Sequence, residues 1–195
     1  MSMKSIALKS LLALPLALFG SAEQADEQNT DALVRSLPIS YGHCYHVVNA
    51  NNEYLGHDAT GYHFLQFGSQ ASAAGFKICS QPGFTCGLNQ PDAVVDAGQP
   101  FYLYDFVGNI LTASGNTIVS NTAGQLLAGG GAWNQYVEFT ATNERSDTRT
   151  IRVHARDHWA APHDGLSVNG LNYLITDYNH GSSLLNFVET DCRAV

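Results

Sequence analysis

The stretch CYHVVNANNEYL (residues 44–55) decides the fold, because its layout recurs twice further along the chain. Cys44 to Val48 is a short apolar run, Asn49 to Asn52 is a turn-forming cluster, and Tyr54 and Leu55 open a second run. FYLYDFVGNIL (101–111) repeats that order, with Asp105 to Asn109 as the turn and Ile110 and Leu111 as the second opening. TIRVHARDHWA (150–160) repeats it again, one residue shorter, with the turn at Arg156 to His158 and the pair Trp159 and Ala160. Each copy reads as a strand, a tight turn of Asn, Asp or Gly, and a second strand that begins with bulky apolar residues.

The copies also close alike. Phe76, Phe139 and Phe187 each sit in a short final run, at Gly75–Ile78, Glu138–Ala141 and Asn186–Glu189. Third strands are predicted between them at His63–Phe67, Gln125–Ala128 and Tyr173–Thr176. Four strands per unit and three units give twelve strands, and one unit alone could not bury its own apolar face, so the copies must share a core. No segment after Ile39 sustains a period of 3.6 for more than about two turns.

Over about residues 40–192 the chain resembles the β-trefoil superfamily, in the manner of fascin-like and ricin-B-like domains. The threefold spacing and the Asn/Gly turn before an apolar pair carry the resemblance. It implies an all-β, β-trefoil-like closed barrel of three four-stranded units, the alternative being a β-sandwich or another antiparallel barrel. The leader, the four cysteines and the run Phe101–Asp105 also look like small secreted fungal proteins of cell-wall or allergen type. That likeness implies an extracellular, non-catalytic role and carries over no site residues.

Residues 1–22 have the three parts of a secretory signal: Lys4 and Lys9, the apolar run Leu11–Phe19, and the small residues Gly20, Ser21 and Ala22. A membrane-crossing helix needs about 20 apolar residues, more than this run supplies. Residues 23–39 are read as a flexible acidic segment, in which Arg35 is a candidate processing site, and 40–195 as one disulfide-stapled β domain. An exported chain matures where disulfides persist, so the four cysteines read as two bridges. Three pairings are open to them; Cys44–Cys192 and Cys79–Cys86 are the favoured set. In trefoils the first and last strands are neighbours, where a Cys44–Cys192 bridge would fit.

Loss of Lys4 and Lys9 would leave seven basic residues against 17 acidic ones. Such a chain is repelled by nucleic acid and anionic membranes, so neither is an expected partner, and no membrane span is expected. There is no G-x-S-x-G elbow, P-loop or dinucleotide fingerprint, so no catalytic residue and no cofactor is assigned.

Two sets of residues could bind a ligand. Trp133, Trp159 and Tyr178 are aromatics in turn-rich segments, and Asp157 and Asp177 stand beside the last two. An aromatic plate with a short polar neighbour suits a sugar, whose C–H face stacks while its hydroxyls take directional bonds. Along Ile151–Arg156 the pattern alternates strictly, which puts Arg152, His154 and Arg156 on one solvent face as an anion patch. His154, His158 and His163 are the densest histidines, and their strand-and-turn setting argues against a metal site. The expected role is a secreted binding protein, extracellular or of the cell wall, with an extracellular glycan or a cell-surface protein as partner. A carboxylate-dependent hydrolase or lyase using residues such as Asp58, Asp96, Asp105 or Asp177, and an effector acting through a protein partner, are the alternatives.

Overall fold

Short runs of β-branched and aromatic residues, each ended by Asn, Asp, Gly or Ser, form fourteen strands in the described part of the chain. The computed structural model describes residues 36–59, 64–82, 92–106, 108–114, 117–121, 136–143, 149–157 and 163–192. Among these there is no α-helix, only a single 3₁₀ turn at Gln70–Ser72. No helix among them is therefore long and apolar enough to cross a membrane. The strands are β1 (Ser36–Ser40), β2 (Cys44–Asn49), β3 (Tyr54–His57), β4 (Leu65–Gly68), β5 (Phe76–Cys79), β6 (Val94–Asp96) and β7 (Tyr102–Asp105). They continue as β8 (Ile110–Ser114), β9 (Thr117–Asn121), β10 (Val137–Asn143), β11 (Thr150–Asp157), β12 (Leu166–Val168), β13 (Leu174–Thr176) and β14 (Ser183–Thr190).

Twelve strands form one antiparallel sheet in the order β10-β11-β14-β2-β5-β7-β8-β9-β13-β12, with β3 and β4 branching from β2. The opening strand β2 lies against the closing strand β14, with Val47 opposite Phe187 and Cys44 opposite Thr190. That neighbourhood brings Cys44 and Cys192 to a Cα separation of 5.2 Å, and they form a disulfide. Cys79 is disulfide-bonded as well; its expected partner, Cys86, lies outside the described residues.

Two expectations are corrected. The sheet is not closed into a barrel: β7 and β10 meet through one reciprocal bridge, Phe101 N–H to Phe139 O at 2.8 Å and Phe139 N–H to Phe101 O at 3.0 Å. A regular ladder cannot run on from there, because Pro100 has no N–H and Gly98, at φ +79°, bends the chain so that its own N–H reaches Ala141 O. In the third copy β11 runs to Asp157 and β12 spans Leu166–Val168, and the expected opening pair Trp159 and Ala160 lies outside the described residues. Finally, the domain starts no later than Ser36 rather than at residue 40. Leu37 and Ile39 of β1 are buried, and β1 pairs with β6 in a separate two-stranded sheet. The leader and residues 23–35, including Arg35, lie outside the described residues, as does the third strand expected at Gln125–Ala128.

The core follows the alternation of the strands. Val137, Phe139 and Ala141 of β10 and Ile151, Val153 and Ala155 of β11 point inward, and polar residues alternate with them. The three closing phenylalanines are all buried. Phe101 stacks on Phe139 with ring centroids 5.8 Å apart and meets Phe187 edge-on at 6.4 Å. A smaller cluster of Cys79, Tyr102, Tyr104 and Ile110 lies beyond β7, which is why β7 is buried on both faces.

One ionic junction ties the chain end to the start of β2. His43 Nδ1 bonds Glu189 Oε1 at 2.7 Å and its Nε2 bonds Asp92 Oδ1 at 2.8 Å. Donation to the Glu189 carboxylate, then to that of Asp92, raises the His43 pKa above its ordinary 6.5. A raised folded-state pKa gives stability that is full below the unfolded value and is lost as pH rises through the folded one. The expected result is that wild type melts above a His43→Gln variant at about pH 5.5, with the gap narrowing as pH rises past the folded-state pKa. A gap that widens with pH would contradict it.

Candidate ligand-binding site

The outward face of β11 carries Arg152, His154 and Arg156, and the last two loops of the chain lie across it. Arg152 and His154 are half-buried and Arg156 is exposed. Asp164 bridges Arg156 through its backbone, while its carboxylate lies 3.1 Å from His154 Nε2 and 3.2 Å from His180 Nδ1. The expected anion patch is therefore not an open row of cations. His154 is matched to Asp164, and the Nη1 of Arg152 donates to Ser182 Oγ at 3.3 Å.

The aromatic half-site is divided differently from the sequence expectation. Tyr178 is 63% exposed, and its ring leans on His163 with centroids 4.2 Å apart. Asp157 beside it is fully buried and meets no solvent. Its Oδ1 accepts the His163 backbone N–H at 3.0 Å, and its Oδ2 accepts from the His163 ring at 2.5 Å and from the Thr176 hydroxyl at 3.2 Å. Asp157 thus positions His163, and through it Tyr178, and cannot itself touch a ligand. Asp177 is likewise engaged in its own turn, accepting the Asn179 N–H at 2.9 Å, and a Cβ at Gly165 would strike its carboxylate. Trp133 and Trp159 lie outside the described residues, as does His158.

Beside Arg152 opens a groove of about 580 Å³. One rim is the β2–β3 turn and the opposite rim the β12–β13 turn, and these two turns share one design. Asn49 Oδ1 accepts the N–H groups of Asn51 and Glu53 at 2.9 and 3.0 Å. Asn169 Oδ1 accepts those of Leu171 and Tyr173 at 2.9 and 3.1 Å. Both turns close through an Asn with positive φ, Asn52 at +61° and Asn172 at +64°, a conformation Asn tolerates better than most residues. Glu53 ties the rims together, accepting from Asn49 Nδ2 at 2.7 Å and from Asn172 Nδ2 at 3.3 Å. The base and wall are Leu166, Leu184 and Leu185, with Ser182 and Ser183 at the edge. The loop Asp177–Ser182 connects this groove to Tyr178; four residues of chain span at most about 14 Å.

Sequence reasoning missed Asn169, Asn172, Ser182, Leu184 and Glu53. A signal for two of them was present, since Asn169 and Asn172 repeat the spacing of Asn49 and Asn52. The carboxylates considered for catalysis serve local structure where their bonds are seen. Asp105 caps its turn through Asn109, with N–H and Nδ2 bonds of 2.8 Å each, and Asp58 accepts from the Tyr173 hydroxyl at 3.3 Å. Among the described residues no three His, Cys, Asp or Glu side chains group to hold a metal ion.

No family model and no curated protein matches the chain. Solved structures do. Winged bean albumin 1 aligns with a TM-score of 0.54 at 12% identity over 80% of this chain and 98% of its own. The botulinum neurotoxin serotype D ligand-binding domain, solved with N-acetylneuraminic acid, aligns at 0.52 and 10% identity over 87% of this chain and 48% of its own. A mutant of HCR/D aligns at 0.55 and 12% identity over 87% of this chain and 49% of its own. The chain thus spans about half the length of the last two. These neighbours are β-trefoil-type folds, and at such identities the likeness shows the fold alone: an all-β protein of the β-trefoil type.

Proposed function

We propose that this is a secreted, non-catalytic binding protein that holds an extracellular or cell-wall glycan. The observation that carries the reading is the groove: amides and hydroxyls on two matched rims, a leucine wall, and Tyr178 exposed on the adjoining loop. That mixture suits a saccharide, which offers apolar C–H faces and many hydroxyls at once. The likeness to a binding domain solved with N-acetylneuraminic acid supports it at the level of fold. The threefold repeat of four-stranded units belongs to the same proposal, supported by the buried Phe76, Phe139 and Phe187 at the ends of the three copies.

A non-catalytic role is supported by the carboxylates, since Asp105, Asp157 and Asp177 are each engaged as caps of their own turns. Export is supported by the leader sequence and the Cys44–Cys192 disulfide. The test is a glycan array on the mature protein, followed by titration of the best binders. At least one glycan class is expected to bind, and Tyr178→Ala to weaken it by about fivefold or more, the loss of roughly 1 kcal/mol of ring contact. An array on which nothing binds would overturn the reading.

A further inference from the structure

We infer that His163 is a ligand contact beside Tyr178: the buried Asp157 holds its proton on Nδ1, and Nε2 accepts the amide N–H of an acetamido sugar lying on the Tyr178 ring. This rests on the glycan-binding reading and names the class of glycan. An ionised carboxylate only accepts hydrogen bonds, so the 2.5 Å contact between Asp157 Oδ2 and His163 Nδ1 places the proton on Nδ1. Nε2 keeps its lone pair. No described residue meets it, and it is not one of the buried atoms left without a partner, so it stands open to solvent. A group that bonds to Nε2 must therefore donate.

The imidazole is fixed from several directions. His163 N–H donates to Asp157 Oδ1 at 3.0 Å, and Asp157 N–H returns a bond to His163 O at 3.2 Å. Gly165 N–H reaches Ala155 O at 2.9 Å and Asp177 N–H reaches Gly165 O at 3.2 Å, which laces residues 163–165 between β11 and the turn that carries Tyr178. The Thr176 hydroxyl donates to Asp157 Oδ2 at 3.2 Å and sets the carboxylate itself. The acids bonded to His43, His154 and His180 all reach solvent, whereas the Asp157 side chain is 0% exposed. A buried ion pair is a weak way to stabilise a fold. What it does here is settle which nitrogen of one histidine is free to act, as a bonded carboxylate does for imidazoles in working sites.

Tyr178 supplies the apolar half. Its ring is 63% exposed and its centroid lies 4.2 Å from that of His163, so one sugar placed on the phenol ring is within reach of Nε2. A hydroxyl donates and accepts, and either tautomer serves it. An acetamide N–H only donates, so a fixed lone pair selects it, while the acetyl methyl and the sugar C–H face lie on the aromatic ring. His163 is then the contact and Asp157 its positioning residue.

The experiment is ¹⁵N NMR of the histidine rings in the mature protein at about pH 8, above the ordinary imidazole range. Spectra are taken free and with N,N′-diacetylchitobiose or cellobiose, matched disaccharides that carry acetamides or hydroxyls. Free His163 is expected to carry one proton, on Nδ1. N,N′-Diacetylchitobiose should move the Nε2 resonance and bind at least about tenfold more tightly than cellobiose, the worth of about one hydrogen bond. Asp157→Asn presents an N–H to Nδ1, turns His163 to the Nε2–H tautomer and should cancel that preference. His163→Asn keeps an N–H toward Asp157 but has nothing at Nε2, so it should cancel the preference as well, and it decides the matter if Asp157→Asn fails to fold. A free His163 protonated on Nε2, an Nε2 resonance unmoved by N,N′-diacetylchitobiose, or equal affinity for the two disaccharides would each overturn the inference. With binders present on the glycan array, any of these leaves the glycan reading standing; an array on which nothing binds removes both.

Discussion

Phe101→Ala is expected to destabilise the protein by about 3–5 kcal/mol, the range for deleting a large aromatic from a filled core. Phe101 is completely buried, stacks on Phe139 and meets Phe187, so its ring joins two of the three phenylalanines expected to close the repeats. Its backbone is also half of the bridge between β7 and β10, where the sheet lacks a continuous ladder. A cavity there removes packing at a point that hydrogen bonding supports least. In thermal melts the loss amounts to about 10 °C or more for a domain of this size. Tyr178→Ala, at an exposed position, is expected to stay within about 0.5 kcal/mol of wild type. A Phe101→Ala variant within about 1 kcal/mol of wild type would show that the three closing strands do not share one core.

The second large effect is expected on removal of the disulfide between Cys44 and Cys192. The two residues are 148 apart in sequence, so the bond closes a loop spanning nearly all of the described domain. In the chain-entropy description such a loop gives at most about 5 kcal/mol, and removal of a native bridge typically costs about 2–5. The double variant Cys44→Ser and Cys192→Ser should therefore unfold at much lower denaturant, since the bond pins β2 beside β14 at the place where the chain ends meet. A denaturation midpoint unchanged by the double substitution would mean that β2 and β14 hold their register, Cys44 to Thr190, without it.

The legible parts of this protein were those governed by alternation and by turn chemistry. Ile151, Val153 and Ala155 declare their inward face by period two, and the phenylalanines at 76, 139 and 187, expected to close three units, are all buried. The chain-end disulfide was expected from cysteine placement and the neighbouring of first and last strands. What stayed hidden depends on through-space geometry. Asp157 looks in sequence like a polar partner for Trp159, yet it is buried, because three donors from His163 and Thr176 converge on it. The groove was hidden for a related reason: its rims come from turns 120 residues apart, Asn49 and Asn169, joined by a Glu53 carboxylate that local pattern cannot place. Arg152 and His154 were found by their shared face, whereas the pairing of His154 with Asp164 required the fold.

The most direct test of the groove as the binding site is a backbone-amide NMR titration of the mature protein with the tightest-binding glycan. The expected result is that the largest shifts fall on Asn49–Asn51, Asn169–Asn172 and Ser182–Leu185, three segments far apart in sequence that line one cavity. Shifts confined to other segments, with these three unmoved at saturation, would contradict the account.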